Sequence, residues 1–253
     1  MGKRRIQNSA LESIVLLLYF FVEALLKLIT RIIIFLYDFI TFFTSKYKQK
    51  SGIDFFKMYF SKGNYGEFVL YRKVIRVFGK ESVLTNIYLD NKNTETTEID
   101  VLAVSTKGIY VFEMKNYSGY IYGSEKDQSW TQVLNRWSKN KFYNPLKQNY
   151  AHTKAVETYL NISNEFIIPI VVFSNRSKLS KIEISDTHNV FQYKDAMKFV
   201  KKREKKEKDI IVLERKKEIL INLLSRCNMS DEVKQKHIYD VLELQKNKEK
   251  SRY

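Results

Sequence analysis

The first part of the chain is much more apolar than the rest. From residue 11 to residue 43, Leu, Ile, Phe, Val and Tyr cover about two-thirds of a helical circumference, and the polar positions share an arc of roughly 100°. Glu23, Lys27 and Arg31 lie on this arc four residues apart, so the acid can pair with a base one turn away. The pattern predicts one long hydrophobic helix within residues 1–45.

A helix of this kind has three plausible environments. It can span a bilayer with its charged stripe turned towards other helices, lie in the membrane interface, or pack in the oligomeric bundle of a soluble protein. From residue 11 to residue 43 it would be about 50 Å long, more than the roughly 30 Å hydrocarbon core. No small-residue cleavage site follows it, which argues against a signal peptide. We therefore expect a transmembrane anchor at residues 11–43, a location at the cell membrane and a contact surface for homo-oligomers.

The remainder of the chain mixes predicted strands and helices. Residues 46–60 are predicted to be a linker, and helical spacing of apolar residues predicts a helix over 67–78. Proline at a helix start predicts a second helix over 144–160, and the C-terminal part is expected to be helical and charged. The predicted strands are residues 83–89, 97–105, 109–115, 166–174 and 190–193.

Residues 97–105 and 109–115 are the most informative of these strands. They flank Thr106-Lys107-Gly108, a hairpin signature, and both are apolar on their two faces. Strands of that kind are central in a sheet that is covered on both sides. The pattern therefore predicts an α/β domain at 61–180, followed by a mainly helical, charged extension at 181–253.

Composition narrows the range of functions. The 44 Lys and Arg residues exceed the 28 Asp and Glu residues, and the formal net charge of +16 over 253 residues favours anionic partners such as nucleic acid or an acidic membrane surface. One cysteine excludes an intramolecular disulfide framework. Three scattered histidines argue against a zinc centre built from histidine and cysteine.

Three charged residues share one face of the predicted hairpin. Two turn registers are open, one pairing Asp100 with Glu113 and the other pairing it with Lys115, and both put the three side chains on the same face. Burying such charges is costly unless each is compensated. A structural ion pair, exposure at a strand end, and a divalent-cation site all remain open as explanations.

The hairpin resembles the D-x(n)-(D/E)-x-K signature of the PD-(D/E)xK nuclease superfamily, with Asp100 followed by Glu113-Met114-Lys115. Further blocks stand around it in order: Gly66-Glu67, Gly108-Ile109-Tyr110-Val111, Asn144-Pro145-Leu146-Lys147-Gln148 and Val171-Val172-Phe173-Ser174. Together the blocks resemble the nuclease-related domain, NERD, over residues 61–176. The resemblance implies a restriction-endonuclease-like core, in which helices flank a central mixed β-sheet.

The resemblance also implies roles for five residues. Asp100 and Glu113 would bind Mg²⁺ or Mn²⁺, and Glu67 would complete the metal site. Lys115 would orient or deprotonate the attacking water and stabilise the charge that develops on the phosphate, while Gln148 would face the site from its helix. Carboxylate oxygens suit such a hard cation, and the cation neutralises the phosphodiester.

Aromatic and basic residues after the hairpin are candidates for nucleic-acid binding. They could stack bases and hold phosphates, or they could cover the edge of the sheet. This set consists of Lys126, Trp130, Arg136, Lys139 and Lys141. His152 lies one turn after Gln148 and either lines the same cleft or is an ordinary helix residue.

The expected function is that of a membrane-anchored, metal-dependent nuclease. It would hydrolyse phosphodiester bonds, with DNA preferred to RNA and with foreign or plasmid DNA as a target, and its nuclease domain would face the cytoplasm. The main alternative is a non-enzymatic, membrane-tethered nucleic-acid-binding or scaffold protein that retains the fold. A third hypothesis is an interaction protein that is organised by the N-terminal helix.

Overall fold

The computed structural model describes residues 2–90 and 96–227, with the side chains of residues 2–11 and 13 left out. The chain divides into two compact units that meet at the peptide bond between Thr44 and Ser45.

The N-terminal unit is a single helix, α1 (Gly2–Thr44). Its large apolar side chains are mostly exposed, as for Leu17 and Phe21, and Glu23 forms an ion pair with Lys27 at 2.6 Å. Within the described residues, no helix combines the length and the apolar character needed to cross a membrane. The transmembrane anchor expected at residues 11–43 is therefore not supported. The charges of Glu23, Lys27 and Arg31 interrupt the apolar pattern.

The second unit begins with two short helices, α2 (Tyr47–Ser51) and α3 (Phe55–Phe60), where the sequence predicted a linker. Tyr47 is completely buried, and its ring centroid lies 5.0 Å from that of Phe68. The ammonium of Lys50 donates a hydrogen bond to the carbonyl oxygen of Val83. This segment is consequently part of the folded core, because its aromatic residues pack against the next helix.

The main sheet has five strands in the order β1-β2-β3-β7-β9. Strands β1 to β3 pair antiparallel, whereas β7 pairs parallel with β3 and with β9. The sequence prediction of a mixed sheet in an α/β fold is therefore confirmed. Its strands are β1 (Val83–Leu89), β2 (Thr97–Ser105), β3 (Gly108–Lys115), β7 (Ile167–Phe173) and β9 (Val190–Gln192).

Helices cover both faces of this sheet. On one face, Ile109 and Val111 of β3 share an apolar cluster with Val156 of α5 and Leu223 of α7. On the other face, the ring of Tyr110 lies 5.0 Å from that of Phe78, which is in α4. The helices are α4 (Lys62–Phe78), α5 (Pro145–Leu160), α6 (Tyr193–Lys206) and α7 (Leu213–Leu224).

A second sheet of four strands, in the order β6-β5-β4-β8, was not predicted from the sequence. Its apolar face buries Ile121 and Trp130 against Val171 and Phe173 of β7. Residues 124–143 have few apolar positions, and their alternation is weak, so the sequence indicated only a polar region there. The strands are β4 (Gly119–Ser124), β5 (Ser129–Asn135), β6 (Ser138–Tyr143) and β8 (Ser177–Glu183).

A short 3₁₀ turn, Asn164–Phe166, connects α5 with β7. Helices α6 and α7 lie in the C-terminal extension expected at residues 181–253. The boundary expected at residue 180 falls inside β8, however, and β9 is a strand of the main sheet, so the extension does not begin at residue 181. The prediction for residues 228–253 lies outside the described residues.

Candidate active site

The β2–β3 hairpin places the predicted acidic and basic residues together. Its register has Ser105 opposite Gly108 and Val101 opposite Phe112, so the next position brings Asp100 towards Glu113. One carboxylate oxygen of Asp100 accepts a hydrogen bond from the backbone N–H of Met114 at 2.7 Å. Of the two registers that the sequence left open, the structure adopts the one that pairs the two carboxylates.

Glu113 is the centre of the cluster, with only 1% of its surface exposed. Its Oε1 lies 2.7 Å from Nζ of Lys115, and its Oε2 lies 2.8 Å from Nε2 of His152. Lys115 also donates a hydrogen bond of 2.9 Å to Oε1 of Gln148. Nδ1 of His152 lies 2.8 Å from Oγ1 of Thr97. Both carboxylate oxygens of Glu113 are therefore engaged, and β2, β3 and α5 are tied together through polar side chains.

Helix α5 brings Gln148 and His152 to this cluster. Asn144 begins the helix, because its side chain accepts a hydrogen bond from the N–H of Leu146, and Pro145 occupies the first turn. Since the two residues are four positions apart, they lie on the same face of the helix. The sequence left the role of His152 open; the structure makes it a direct partner of Glu113.

Glu67 of α4 belongs to the same charge cluster. Burial and the nearby carboxylates of Glu98 and Glu113 raise its pKa from 4.5 to about 8, although a hydrogen bond with Asn86 and the charge of Lys115 act in the opposite direction. No pattern in the sequence pointed to Asn86, whose side chain donates a 2.7 Å hydrogen bond to Glu98.

The four titratable groups fall into two classes. Burial, then Glu113 and Glu67, raise the pKa of Asp100 well above its usual value. Burial disfavours the charged form of Glu113, but Lys115 and His152 outweigh it and hold the pKa of Glu113 below its usual value. Burial likewise opposes the charge of Lys115, yet Glu113 and then Asp100 raise the pKa of Lys115. Glu113 and Lys115 thus form an ion pair, beside two acidic groups whose ionised forms are disfavoured.

The side chains of this cluster meet some, but not all, of the requirements for binding a divalent cation. Asp100 and Glu113 offer carboxylate oxygens, and burial followed by the neighbouring carboxylates raises the pKa values of Asp100 and Glu67. In the described part of the chain, however, no three His, Cys, Asp or Glu side chains are grouped so that they could hold a metal ion. A cation ligated by Glu113 would have to replace Lys115 or His152 at one of its oxygens.

The predicted nucleic-acid-binding residues separate into exposed and buried ones. Lys126, Arg136, Lys139 and Lys141 are exposed. Trp130 is completely buried, and its Nε1 donates a 2.9 Å hydrogen bond to the carbonyl oxygen of Ser124. It packs between the second sheet and Phe173 of β7 and has no free face for a base, so its prediction as a stacking residue is wrong.

Residues 62–174 match the nuclease-related domain, NERD. An uncharacterized protein of Bacillus anthracis is 31% identical to this chain over 180 residues, an alignment that covers 70% of this chain and 82% of that protein. The chain belongs to the NERD family. The sequence resemblance, which was drawn over residues 61–176, is thereby confirmed.

The matched NERD residues include all five predicted site residues, from Glu67 to Gln148. A solved protein of unknown function, AF1548, aligns with 49% of this chain and 58% of its own length, at 14% identity and a TM-score of 0.29. That likeness is too low to carry an argument. Membership of the NERD family itself indicates a nuclease-like function.

Proposed function

We propose that this NERD protein hydrolyses phosphodiester bonds, with DNA as its substrate. The observation that carries the proposal is the buried Glu113–Lys115 ion pair beside Asp100, in a domain of a nuclease-related family. A chain that needed only stability would gain as much or more from apolar residues of similar size at these positions. The partly exposed Asp100 and Lys115 give the cluster an accessible side.

The protonation states suggest a division of labour. Lys115 has a raised pKa and therefore stays charged at neutral pH, so we assign it to stabilising the negative charge that develops on the phosphate rather than to removing a proton. Gln148 holds the ammonium of Lys115 in place by accepting its 2.9 Å hydrogen bond. His152 fixes the second oxygen of Glu113 and is assigned as a positioning residue.

We further propose Mg²⁺ or Mn²⁺ as the cofactor, held by Asp100 and Glu113, with Glu67 nearby. When bound, such a cation neutralises phosphate oxygens and lowers the pKa of coordinated water. Support comes from the carboxyl groups that meet in the cluster, since burial and the neighbouring carboxylates disfavour the ionised forms of Asp100 and Glu67, whereas a bound cation would favour them.

The activity test uses the full-length chain with Mg²⁺ or Mn²⁺ and four substrates: supercoiled, linear duplex and single-stranded DNA, and RNA. Removal of one charge-stabilising group costs on the order of 10²–10³ in rate, so Glu113→Gln and Lys115→Met should both lose nearly all cleavage. The matched controls are Glu157→Gln and Lys154→Met, which break an exposed ion pair of 2.6 Å on α5 and should cleave like the wild type. Wild-type protein that is inert with both metals, or cleavage that survives in both site variants, would refute the proposal.

The cofactor has a separate test that needs no turnover. Calorimetric titration with Mg²⁺ or Mn²⁺ should detect binding by the wild type and by Glu157→Gln, but not by Asp100→Asn. Equal binding by all three proteins would place the cation elsewhere.

A non-enzymatic nucleic-acid-binding protein is the second candidate. It is favoured by one observation, namely that no three candidate metal ligands are grouped in the described residues and that both oxygens of Glu113 are already engaged. This candidate predicts that the wild type binds DNA without cleaving it, and that Asp100→Asn leaves the binding unchanged.

A further inference from the structure

The second sheet has one face that no other element covers among the described residues. Ile121 and Trp130 point to the packed face, and strand alternation turns their neighbours outwards. Tyr120 is 46% exposed and Tyr122 is 37% exposed, although tyrosine can bury most of its ring. This outward surface, called the open face below, follows directly after the β3 strand that carries Glu113.

The pairing of the strands aligns the open face in two rows. In each row a lysine of β6 and a lysine of β8 stand at the two sides, and a tyrosine of β4 lies between them. The first row is Lys139, Val133, Tyr120 and Lys178, and the second is Lys141, Thr131, Tyr122 and Lys181. The rows lie about 7 Å apart along the strands, and the outer strands are about 14 Å apart.

A β-bulge supplies the fourth lysine. Ile121 pairs with Leu179, but Tyr122 pairs with Lys181, so Ser180 is an extra residue in β8. In a regular ladder Ser180 would stand opposite Tyr122. The bulge instead places Lys181 there, and both tyrosines have a lysine beside them.

The charge of the open face is strongly positive. Lys139, Lys141 and Lys178 are exposed, and no ion pair is found for them among the described residues. Lys181 is the exception, since its ammonium lies 3.1 Å from the carboxylate of Glu183 at the end of the same strand. Nζ of Lys178 lies 5.7 Å from the centroid of the Tyr120 ring, so the cation and the ring are presented together.

We propose that the open face binds single-stranded nucleic acid. The lysines of the outer strands would hold phosphates, and Tyr120 and Tyr122 would stack two bases between them. A basic surface with exposed rings along its middle is the chemistry that single strands use, because every base has a face to stack. A duplex would gain from the lysines alone, as would an acidic protein, and neither makes use of the two rings.

This inference goes beyond the proposed hydrolysis and does not depend on it. Binding is measured in EDTA, where metal-dependent turnover is absent, so an inactive nuclease would leave the result intact. Conversely, a failure of the open face to bind single strands would leave the outcome of the cleavage test on Glu113 and Lys115 unchanged.

The first measurement is the fluorescence anisotropy of a labelled 20-nucleotide oligothymidylate titrated with the full-length chain. Tyr120→Ala/Tyr122→Ala removes both stacked rings and should bind at least about 30-fold more weakly. Tyr120→Phe/Tyr122→Phe keeps both rings and should bind like the wild type. The matched control is Tyr150→Ala/Lys154→Ala on α5, where Nζ of Lys154 lies 5.8 Å from the ring centroid of exposed Tyr150.

The second measurement is the salt dependence of the same affinity. Each lost phosphate contact with a single strand lowers the slope of log K against log salt by about 0.7, so Lys139→Ala/Lys178→Ala should lower it by about 1.4. Lys201→Ala/Lys202→Ala removes equal charge from exposed positions of α6 and should leave the slope unchanged. Circular dichroism checks the fold of each variant, and Lys139→Glu/Lys178→Glu, which adds repulsion at exposed positions, serves as a second charge variant.

Three results would overturn the proposal. The alanine variants of both tyrosines could bind the oligonucleotide as tightly as the wild type does. A duplex could lose as much affinity as the single strand on removal of the rings. Polyglutamate could compete as well as the unlabelled oligonucleotide, which would indicate a surface for any polyanion.

Discussion

At the scale of single residues, the site depends on one buried carboxylate with two basic partners. Glu113 accepts a hydrogen bond from the ammonium of Lys115 and contacts His152, and its side chain is almost completely buried. Removing one member of a buried ion pair leaves the other charge without compensation, whereas removing both avoids that penalty. The cluster should therefore show strong coupling between its members.

A double-mutant cycle tests this coupling. We expect Glu113→Leu alone to lower the free energy of unfolding by about 3–5 kcal/mol, because it leaves the ammonium of Lys115 without the carboxylate that compensates its charge. Glu113→Leu/Lys115→Met should cost clearly less than the sum of the two single changes. Urea denaturation gives all four values. The exposed Lys154–Glu157 pair is the control and should couple by less than about 1 kcal/mol; additive effects at Glu113 and Lys115 would contradict the interpretation.

Glu67 predicts a dependence of stability on pH. Its pKa is raised from 4.5 to about 8 in the folded protein, so folding favours the protonated form. The contribution of protonated Glu67 to the free energy of unfolding is complete below pH 4.5, decreases as the pH rises, and is lost once the pH passes about 8. Because one pKa unit corresponds to about 1.4 kcal/mol and part of Glu67 still meets solvent, we expect a loss of roughly 2–4 kcal/mol.

The measurement is a set of urea midpoints between pH 4.5 and pH 8.5 in EDTA. Glu67→Gln cannot ionise, so its free energy of unfolding should fall less than that of the wild type over this interval. The shift of Asp100 acts in the same direction and remains in both proteins. Parallel curves for the two proteins would show that Glu67 does not carry the effect.

At the scale of elements, close packing of α4 against the loop between β3 and β4 sets the position of Glu67. A Cβ atom added to Gly66 would lie 2.6 Å from Cβ of Asn116, a separation that real side chains do not adopt. The side chain of Asn116 cannot easily move away, because it donates a hydrogen bond to the carbonyl oxygen of Lys62 and accepts one from Arg176. Glycine at position 66 is therefore required by the close approach of the two elements.

Two alanine substitutions in the same helix separate this packing from helix propensity. Gly66→Ala should lower the free energy of unfolding by about 1–3 kcal/mol through overpacking, and should reduce any cleavage because Glu67 moves with the helix. Gly63→Ala has no neighbour closer than 3.9 Å and should raise stability by up to about 1 kcal/mol. Thermal unfolding of both variants checks the pair; a stabilised Gly66→Ala protein would show that α4 can shift without cost.

At the scale of the whole molecule, the folded second unit starts earlier than the NERD match. The match begins at residue 62, but Tyr47 and Met58 are completely buried in the second unit. The hydroxyl of Tyr71 also donates a 2.6 Å hydrogen bond to the carbonyl oxygen of Ser45. Helices α2 and α3 therefore belong to the domain that carries the candidate site.

Two truncations test this boundary. The fragment 45–253 should unfold in one cooperative transition and retain whatever nuclease activity the full chain has, since it keeps every helix and strand of the second unit. The fragment 61–253 exposes the side of α4 that Tyr47 covers, and it should be several kcal/mol less stable or insoluble. Equal urea midpoints for the two fragments would show that α2 and α3 do not stabilise the domain and act only as a linker.

The sequence predicted the main sheet well because its strands are long, apolar and bounded by turns. It also placed Asp100, Glu113 and Lys115 on one face, since alternation fixes the face in either register. The second sheet was missed, and Trp130 was assigned to nucleic acid, because burial of that tryptophan depends on Val171 and Phe173, which lie far along the chain. Whether a side chain is exposed is decided by residues that a local pattern does not contain.

The sequence alone thus determined the family, the α/β core and the motif, all of which rest on local periodicity and short spacings along the chain. Only the tertiary structure decided the hairpin register, the engagement of Glu113 by His152 from a distant helix, and the two rows of the open face. The physical reason is the same in each case. Protonation, burial and the alignment of neighbouring strands depend on groups that are near in space and remote in sequence.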